Sequence, residues 1–254
     1  MNEALRNQVA VVCGGSGTVG SVIAAVLGAE GASVAVQYRG RRDAAESVVC
    51  RIVQAGGKAQ VFQADLTDES STAMLFRNVL QRLGEPAILV NTVHAEGEPK
   101  TVFDMAWKDW EVHLDAIKAH FLVCRAVLPV MREKRYGRIV FISGGLSHRY
   151  MKGCAAYTTA KAGLEGFCKT LALEEGPSGI TVNIVAPGRV DTGAAAEASD
   201  PSRAMLDAQR VSAPPLGRDA TARDIADAVS YFASPRAGCI TGQTIFVTGG
   251  EVMP

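Results

Sequence analysis

The chain has 254 residues, 48% hydrophobic and 6% aromatic, with 26 basic side chains balancing 26 acidic ones. A chain of this length buries a large core, and a balanced charge provides no field for nucleic acid or an anionic membrane, so neither is expected as a partner. Six scattered cysteines form no C-x-x-C pair and no Cys/His cluster, so no metal site is expected. The polar start "MNEALRNQ" has no signal-peptide pattern, and no apolar run reaches membrane-spanning length. The expectation is a soluble cytoplasmic protein with reduced thiols.

In chain order, the first strand is predicted over 9–13, "VAVVC", followed by a glycine-rich turn and a helix over 19–30. Strand 33–38 leads to helix 43–55, strand 59–65 to helix 70–83, and strand 87–91 to the long helix 107–134. Strand 137–143, helix 155–175, strand 180–188, helix 222–233 and strand 243–250 complete the series. These β-branched, two-sided strands suit a parallel sheet covered on both faces. Strict alternation with helices predicts an α/β fold, a doubly wound parallel sheet with right-handed crossovers. The irregular stretch 189–218 is read as a substrate lid on one domain spanning 1–254.

The turn "CGGSGTVG" offers Gly14, Ser16, Gly17, Thr18, Val19 and Gly20 between a strand and a helix. Free backbone N–H groups and the positive helix end there suit a pyrophosphate. The second strand ends in "QYRGRR", so Tyr38 and Arg39, with Arg42, stand where an acidic residue would hold a ribose diol. Guanidinium groups at that edge suit a 2′-phosphate and favour NADP(H) over NAD(H); a solvated basic turn is the plainer reading.

Later, "ISGGLSHRYMKGCAAYTTAK" ends in Tyr157 and Lys161, one helical turn apart. An ammonium beside a phenol pulls its pKa down from about 10 and suits it to exchange a proton with an alcohol or carbonyl. An isolated Y-x-x-x-K is more commonly a surface pair.

Together these segments resemble the short-chain dehydrogenase/reductase family over essentially the whole chain. "YTTAKAGLEGFCKTLALEEGPSGITVNIVAPGRVDT" is similar to its active-site helix and following strand, and "DIADAVSYFASPRAGCITGQTIFVTGG" to its C-terminal part. The resemblance implies a Rossmann-type sheet, a small-molecule substrate and a homotetramer or homodimer. It makes Tyr157 the acid/base and Lys161 its partner, also holding the nicotinamide ribose. It places Asp65 and Leu66 near the adenine, Asn91 at the family's N-N-A-G turn, and Pro187, Gly188, Val190 and Thr192 at the nicotinamide amide.

The departures fall in the same motifs. Cys13 and Thr18 replace a threonine and a glycine of the phosphate turn, and "NTVH" replaces N-N-A-G. Thr18 brings a β-carbon toward the pyrophosphate, and a hydroxyl able to donate to it. Ala116 stands where the family carries an asparagine, and Gly144 where it carries the catalytic serine, thirteen residues before the tyrosine. Ser143 is one residue off, on the opposite face of the strand. Ser147 and His148 are the leading substitutes for the missing donor, while His94, His113 and His120 read as ordinary histidines. A substrate that supplies its own hydrogen bond would also make the serine dispensable, as would a repurposed site. The flanking glycines suggest that position 144 accepts a serine without strain. Two functions follow: an NADP(H)-dependent carbonyl reductase or alcohol dehydrogenase for a small, moderately apolar compound, or a non-redox cyclase, isomerase or regulatory relative.

Overall fold

The structure, a computed structural model, describes residues 4–95, 97–191, 209 and 213–254. Strands β1 (Val9–Cys13), β2 (Ser33–Tyr38), β3 (Lys58–Gln63), β4 (Pro86–Asn91), β5 (Gly137–Ile142) and β6 (Ile180–Pro187) carry the first part of the chain. β7 (Val190–Asp191) and β8 (Ala220–Thr221) pair only with each other, and β9 (Thr244–Val247) closes the sheet. The seven-stranded sheet runs β3-β2-β1-β4-β5-β6-β9, with every pairing parallel. The order reverses between β1 and β4, where Cys13 pairs with Asn91. A crevice opens at such a switch point, beyond the carboxyl ends of the strands.

Alternating side chains along each strand feed two apolar layers. Val11 and Cys13 of β1 and Ile139 and Phe141 of β5 pack toward α3 (Glu69–Arg82), α4 (Trp107–Lys134) and α6 (Ala155–Glu175). Ala10, Val12, Val140 and Ile142 pack toward α1 (Thr18–Ala29), α2 (Arg42–Gln54) and α7 (Ala222–Ala233). Capping sets the helix starts: Asp68 accepts from the Ser71 N–H at 2.6 Å, and Thr221 and Asp224 form a reciprocal box at the head of α7. This is the doubly wound architecture expected from the alternation, with boundaries shifted by one or a few residues.

Two features carry no sequence signal. One is the single-turn helix α5 (Leu146–Arg149); the other is the β7–β8 pair. Both are too short to show a hydrophobic period. Of the lid reading over 189–218, residues 192–208 and 210–212 lie outside the described residues, as does Thr192. No helix among the described residues is long and apolar enough to cross a membrane. All six cysteines are free.

The head of α1 packs against the turn before it with no room for a side chain. A β-carbon on Gly20 would lie 2.3 Å from the Gly14 carbonyl oxygen. Gly20→Ala is therefore expected to destabilise the protein by about 1–3 kcal/mol, because backbone rather than a side chain must yield. Urea unfolding of wild type and variant measures this; an unchanged midpoint contradicts it.

Candidate active site

β1 delivers the chain to Gly14 at φ +73°, a conformation that favours glycine. The Gly14 N–H donates to Oε1 of Gln37 at 2.8 Å, and Nε2 of Gln37 donates to the Ala64 carbonyl at 2.8 Å. Thr92 fixes the other side, its hydroxyl donating to the Cys13 carbonyl at 2.8 Å. Gly17 then caps α1 with extended backbone and no side-chain bond, and the first turn holds no acidic residue. The turn therefore presents backbone N–H groups and the positive end of α1. Ser16 and Val19 are half-buried, and Thr18 is exposed at the first helical position.

The basic side chain closest to this turn is Arg41, which the sequence pattern does not single out. A β-carbon on Gly17 would lie 3.7 Å from a guanidinium nitrogen of Arg41. Arg42, the expected contact, instead pairs with Glu46 at 2.8 Å along α2. Tyr38 is buried beneath the strand end, and Arg39 is exposed beside it. Asp65 accepts from the Thr67 hydroxyl at 2.7 Å and the Thr67 N–H at 2.9 Å. Those bonds, with smaller help from the charges of Arg39 and Lys118, hold its carboxyl below the usual range. Leu66 is in the core.

Asn91 closes β4, fully buried, with Oδ1 accepting from the Val93 N–H at 3.1 Å and Nδ2 lying 3.0 Å from Nδ1 of His120. Pro187 accepts from the Gly145 N–H at 2.8 Å. A β-carbon on Gly188 would meet the Glu251 carboxylate and Thr248 at 3.2 Å, so the backbone there runs tightly against the C-terminal segment. Val190 pairs with Ala220 in the β7–β8 ladder.

Tyr157 and Lys161 sit one turn apart on α6, above the carboxyl end of β5. The Lys161 ammonium is 6% exposed, donates to the Ile142 carbonyl at 3.1 Å, and lies 5.5 Å from the centroid of the Tyr157 ring. Burial pushes Lys161 down to about 8. Tyr157 moves against expectation. Burial, with a smaller contribution from Cys154, pushes the phenol up to about 12, while the ammonium donates to a backbone carbonyl. The phenol is thus protonated at neutral pH.

Gly144 is not a vacant seat for a serine. A β-carbon there would lie 2.3 Å from the Tyr157 hydroxyl, so the expectation of a strain-free substitution fails. Ser143, on the other side of the pleat, is buried with its hydroxyl unpartnered. The expected substitutes are engaged elsewhere. The Ser147 hydroxyl donates to Oε1 of Glu165 at 2.7 Å, and Nε2 of His148 lies 3.0 Å from Oε2 of the same carboxylate. Glu165 draws both toward the body of α6.

The residues that do face Tyr157 and Lys161 are histidines. His94, His113 and His120 line with them a tight cleft of only about 10 Å³, with Ala116 between the two α4 histidines. His113 meets the Tyr157 ring edge-on, centroids 6.1 Å apart. His120 is fully buried and pushed down to about 3 by desolvation, with Lys161 adding to the effect, so it is neutral. The signal for this cluster was present as the i, i+3, i+7 spacing of His113, Ala116 and His120 on one helix face.

Two outcomes are expected. Gly144→Ser and Gly144→Ala should each lower turnover by ten-fold or more, because the Tyr157 hydroxyl must leave its place; a gain in steady-state kcat/KM contradicts this. A lysine with a depressed pKa binds its proton more tightly in the unfolded chain, so the cost of burying Lys161 is present at neutral pH. That cost, up to about 3 kcal/mol, fades as pH rises from 8 through 10.5. Lys161→Met is therefore expected to raise urea stability at pH 7, with the gain shrinking by pH 10. A pH-independent difference contradicts it.

Comparison with known proteins agrees with this geometry. The family model described as enoyl-(acyl carrier protein) reductase matches residues 15–251. The 3-oxoacyl-(acyl-carrier-protein) reductase FabG of Escherichia coli (strain K12) is 36% identical over 251 residues, covering 98% of each chain. The 3-oxoacyl-(acyl-carrier-protein) reductase of Synechocystis sp. is 33% identical over 252 residues, covering 98% of this chain and 99% of its own. The crystal structure of NAD+-bound xylitol dehydrogenase superposes with a TM-score of 0.89 at 25% identity, covering 97% of this chain and 99% of that one. With the sheet order, the glycine turn and the Tyr157–Lys161 pair in place, the chain belongs to the short-chain dehydrogenase/reductase family and is an oxidoreductase.

Proposed function

We propose that the protein is an NADP(H)-dependent ketoreductase, interconverting a ketone and a secondary alcohol on a small or moderately apolar compound. The 3-oxoacyl thioesters named for its relatives are the first substrates to test. The observation that carries this reading is the half-buried, protonated Tyr157 phenol beside Lys161, in a chain that also has a glycine turn shaped for phosphate. The residues present fit a dinucleotide. Side chains are excluded at Gly14 and Gly20, the head of α1 carries no acid, and Arg41 lies against the turn.

Gly14, Ser16, Gly17, Thr18, Val19 and Gly20 would hold the pyrophosphate, Asp65 and Leu66 the adenine side, and Asn91, Pro187, Gly188, Val190 and Thr192 the nicotinamide side. When bound, the nicotinamide supplies or accepts the hydride. Tyr157 gives its hydroxyl proton to the substrate oxygen during reduction and recovers it afterwards. Lys161 stands 5.5 Å from the centre of the Tyr157 ring, its ammonium fixed on the Ile142 carbonyl, where it would hold the nicotinamide ribose. Residues 1–254 act as one unit in this reading, and balanced charge with free thiols supports a cytoplasmic setting. Exposed Phe103, Trp107, Val112 and Phe121, at and before α4, support a homodimer or homotetramer.

Arg39 and Arg41, both exposed beside the turn, support NADP(H) over NAD(H), although the xylitol dehydrogenase structure holds NAD+. Fluorescence titration is expected to show NADPH binding at least ten-fold tighter than NADH. Arg41→Ala should erode that ratio more than Arg42→Ala, because Arg42 is held by Glu46. Equal affinities in the wild-type protein would sink the preference. Tyr157→Phe should abolish carbonyl reduction and leave NADPH affinity within two-fold.

A non-redox role is the second reading, favoured by the absence of polar side chains at Gly144 and Ala116. Tight NADPH binding with no oxidation across a panel of ketones and 3-oxoacyl thioesters would support it.

A further inference from the structure

A ketoreductase needs more than one hydrogen bond to the substrate oxygen, because the oxygen gains negative charge as hydride reaches the carbon. Deleting one such donor typically costs 10²–10³ in rate. At the strand end that should supply the second donor there is only Gly144. Ser147 and His148 are bonded to Glu165, and Ser143 is buried, 4% exposed, one residue before Gly144.

A polar, uncommitted side chain among the described residues meets the Tyr157 ring. His113 projects from the first part of α4, one turn before Ala116, and its ring meets the Tyr157 ring edge-on at 6.1 Å. It is half-buried and has no hydrogen-bond partner among the described residues. A β-carbon on Gly97 would lie 3.6 Å from its Nε2, so the loop after β4 stands against the ring. His120, one face lower on the same helix, is occupied by Asn91 and fully buried. Its position suits it to align Asn91 rather than to meet a substrate.

We propose that His113 is a catalytic residue of this site, donating an imidazole N–H to the substrate oxygen in place of the missing serine. The proposal rests on the ketoreductase reading. In the reducing direction, the hydride brings both electrons of the new C–H bond to the carbonyl carbon, and the C=O π pair moves onto oxygen. Tyr157 transfers its hydroxyl proton to that oxygen, while His113 donates a hydrogen bond and keeps its proton.

The groups facing His113 favour this role. Lys161 and Tyr157 stand on α6, His94 on the segment after β4, and His120 on α4 itself. Burial first, then the positive fields of Lys161 and His94, hold its pKa below the usual histidine range. A neutral imidazole still carries one N–H donor, and it does not compete with Tyr157 for proton transfer. Ala116 lies between His113 and His120 on the same wall and adds no polar group to it.

The test compares His113→Ala with His113→Asn and His113→Gln, which keep a neutral N–H donor near one or the other ring nitrogen. With short 3-oxoacyl thioesters and simple ketones, His113→Ala should lose 10²-fold or more in kcat with NADPH affinity unchanged. At least one amide variant should stay within ten-fold of wild type. A second readout avoids turnover: calorimetric binding of a 3-hydroxybutyryl thioester to the NADP+-loaded protein should weaken ten-fold or more in His113→Ala and recover in the same amide variant. His113→Ala at wild-type rate and affinity, or amide variants no better than alanine, overturns the assignment. A wild-type protein that binds the hydroxy thioester with affinity dependent on His113 but turns nothing over overturns the ketoreductase reading and leaves His113 as an oxygen-binding group. A wild-type protein that neither binds nor reduces any of these compounds overturns both.

Discussion

The carboxamide of Gln37 holds the dinucleotide end of this molecule together. It is 2% exposed, and both of its polar atoms are used: the oxygen accepts from Gly14 and the nitrogen donates to Ala64. Those two bonds join the ends of β1, β2 and β3 at one point. A buried amide with either partner missing would cost roughly 1–3 kcal/mol, so the arrangement is held as a set. Once Gly14 is fixed, its carbonyl presses on Gly20, and that contact sets where α1 begins. Thr92 completes the clamp from β4, its hydroxyl on the Cys13 carbonyl and directed at the space beside Gly14. The unusual threonine of "NTVH" is thus a brace for the turn.

The exchange at residue 144 reorganises the other half of the site. The missing side chain lets the Tyr157 hydroxyl occupy the space a β-carbon would fill. Desolvation around the half-buried ring pushes the phenol up to about 12. The neighbouring one-turn helix α5 is drawn toward α6, because Glu165 takes hydrogen bonds from both Ser147 and His148. A single carboxylate, two turns along α6 from Tyr157, thus holds Ser147 and His148 together.

The sequence made the sheet and its helices legible because their signals are periodic and long. β-Branched runs alternating with amphipathic helices leave few topologies open. It also made the Tyr157–Lys161 pair legible, since four-residue spacing on a helix fixes a common face. The pKa of the phenol was not legible, because it is set by desolvation in the folded protein, which a four-residue spacing does not report. Nor was the basic contact to the phosphate turn: Arg39, Arg41 and Arg42 are near-equivalent in sequence, and only the pairing of Arg42 with Glu46 separates them. His113 was visible as a residue but not as a neighbour of Tyr157, since that proximity joins two helices far apart in the chain.

The short β7–β8 ladder fixes a different kind of boundary. Val190 pairs with Ala220, Asp191 with Thr221, and an Arg189–Asp219 ion pair stands at the same place. The chain thus leaves and re-enters the sheet framework through one pinned doorway, and the ends of the intervening stretch are held side by side whatever its content. The entropy of closing such a stretch grows only with the logarithm of its length. A connection pinned at both ends in this way can therefore change in length at small cost to the sheet.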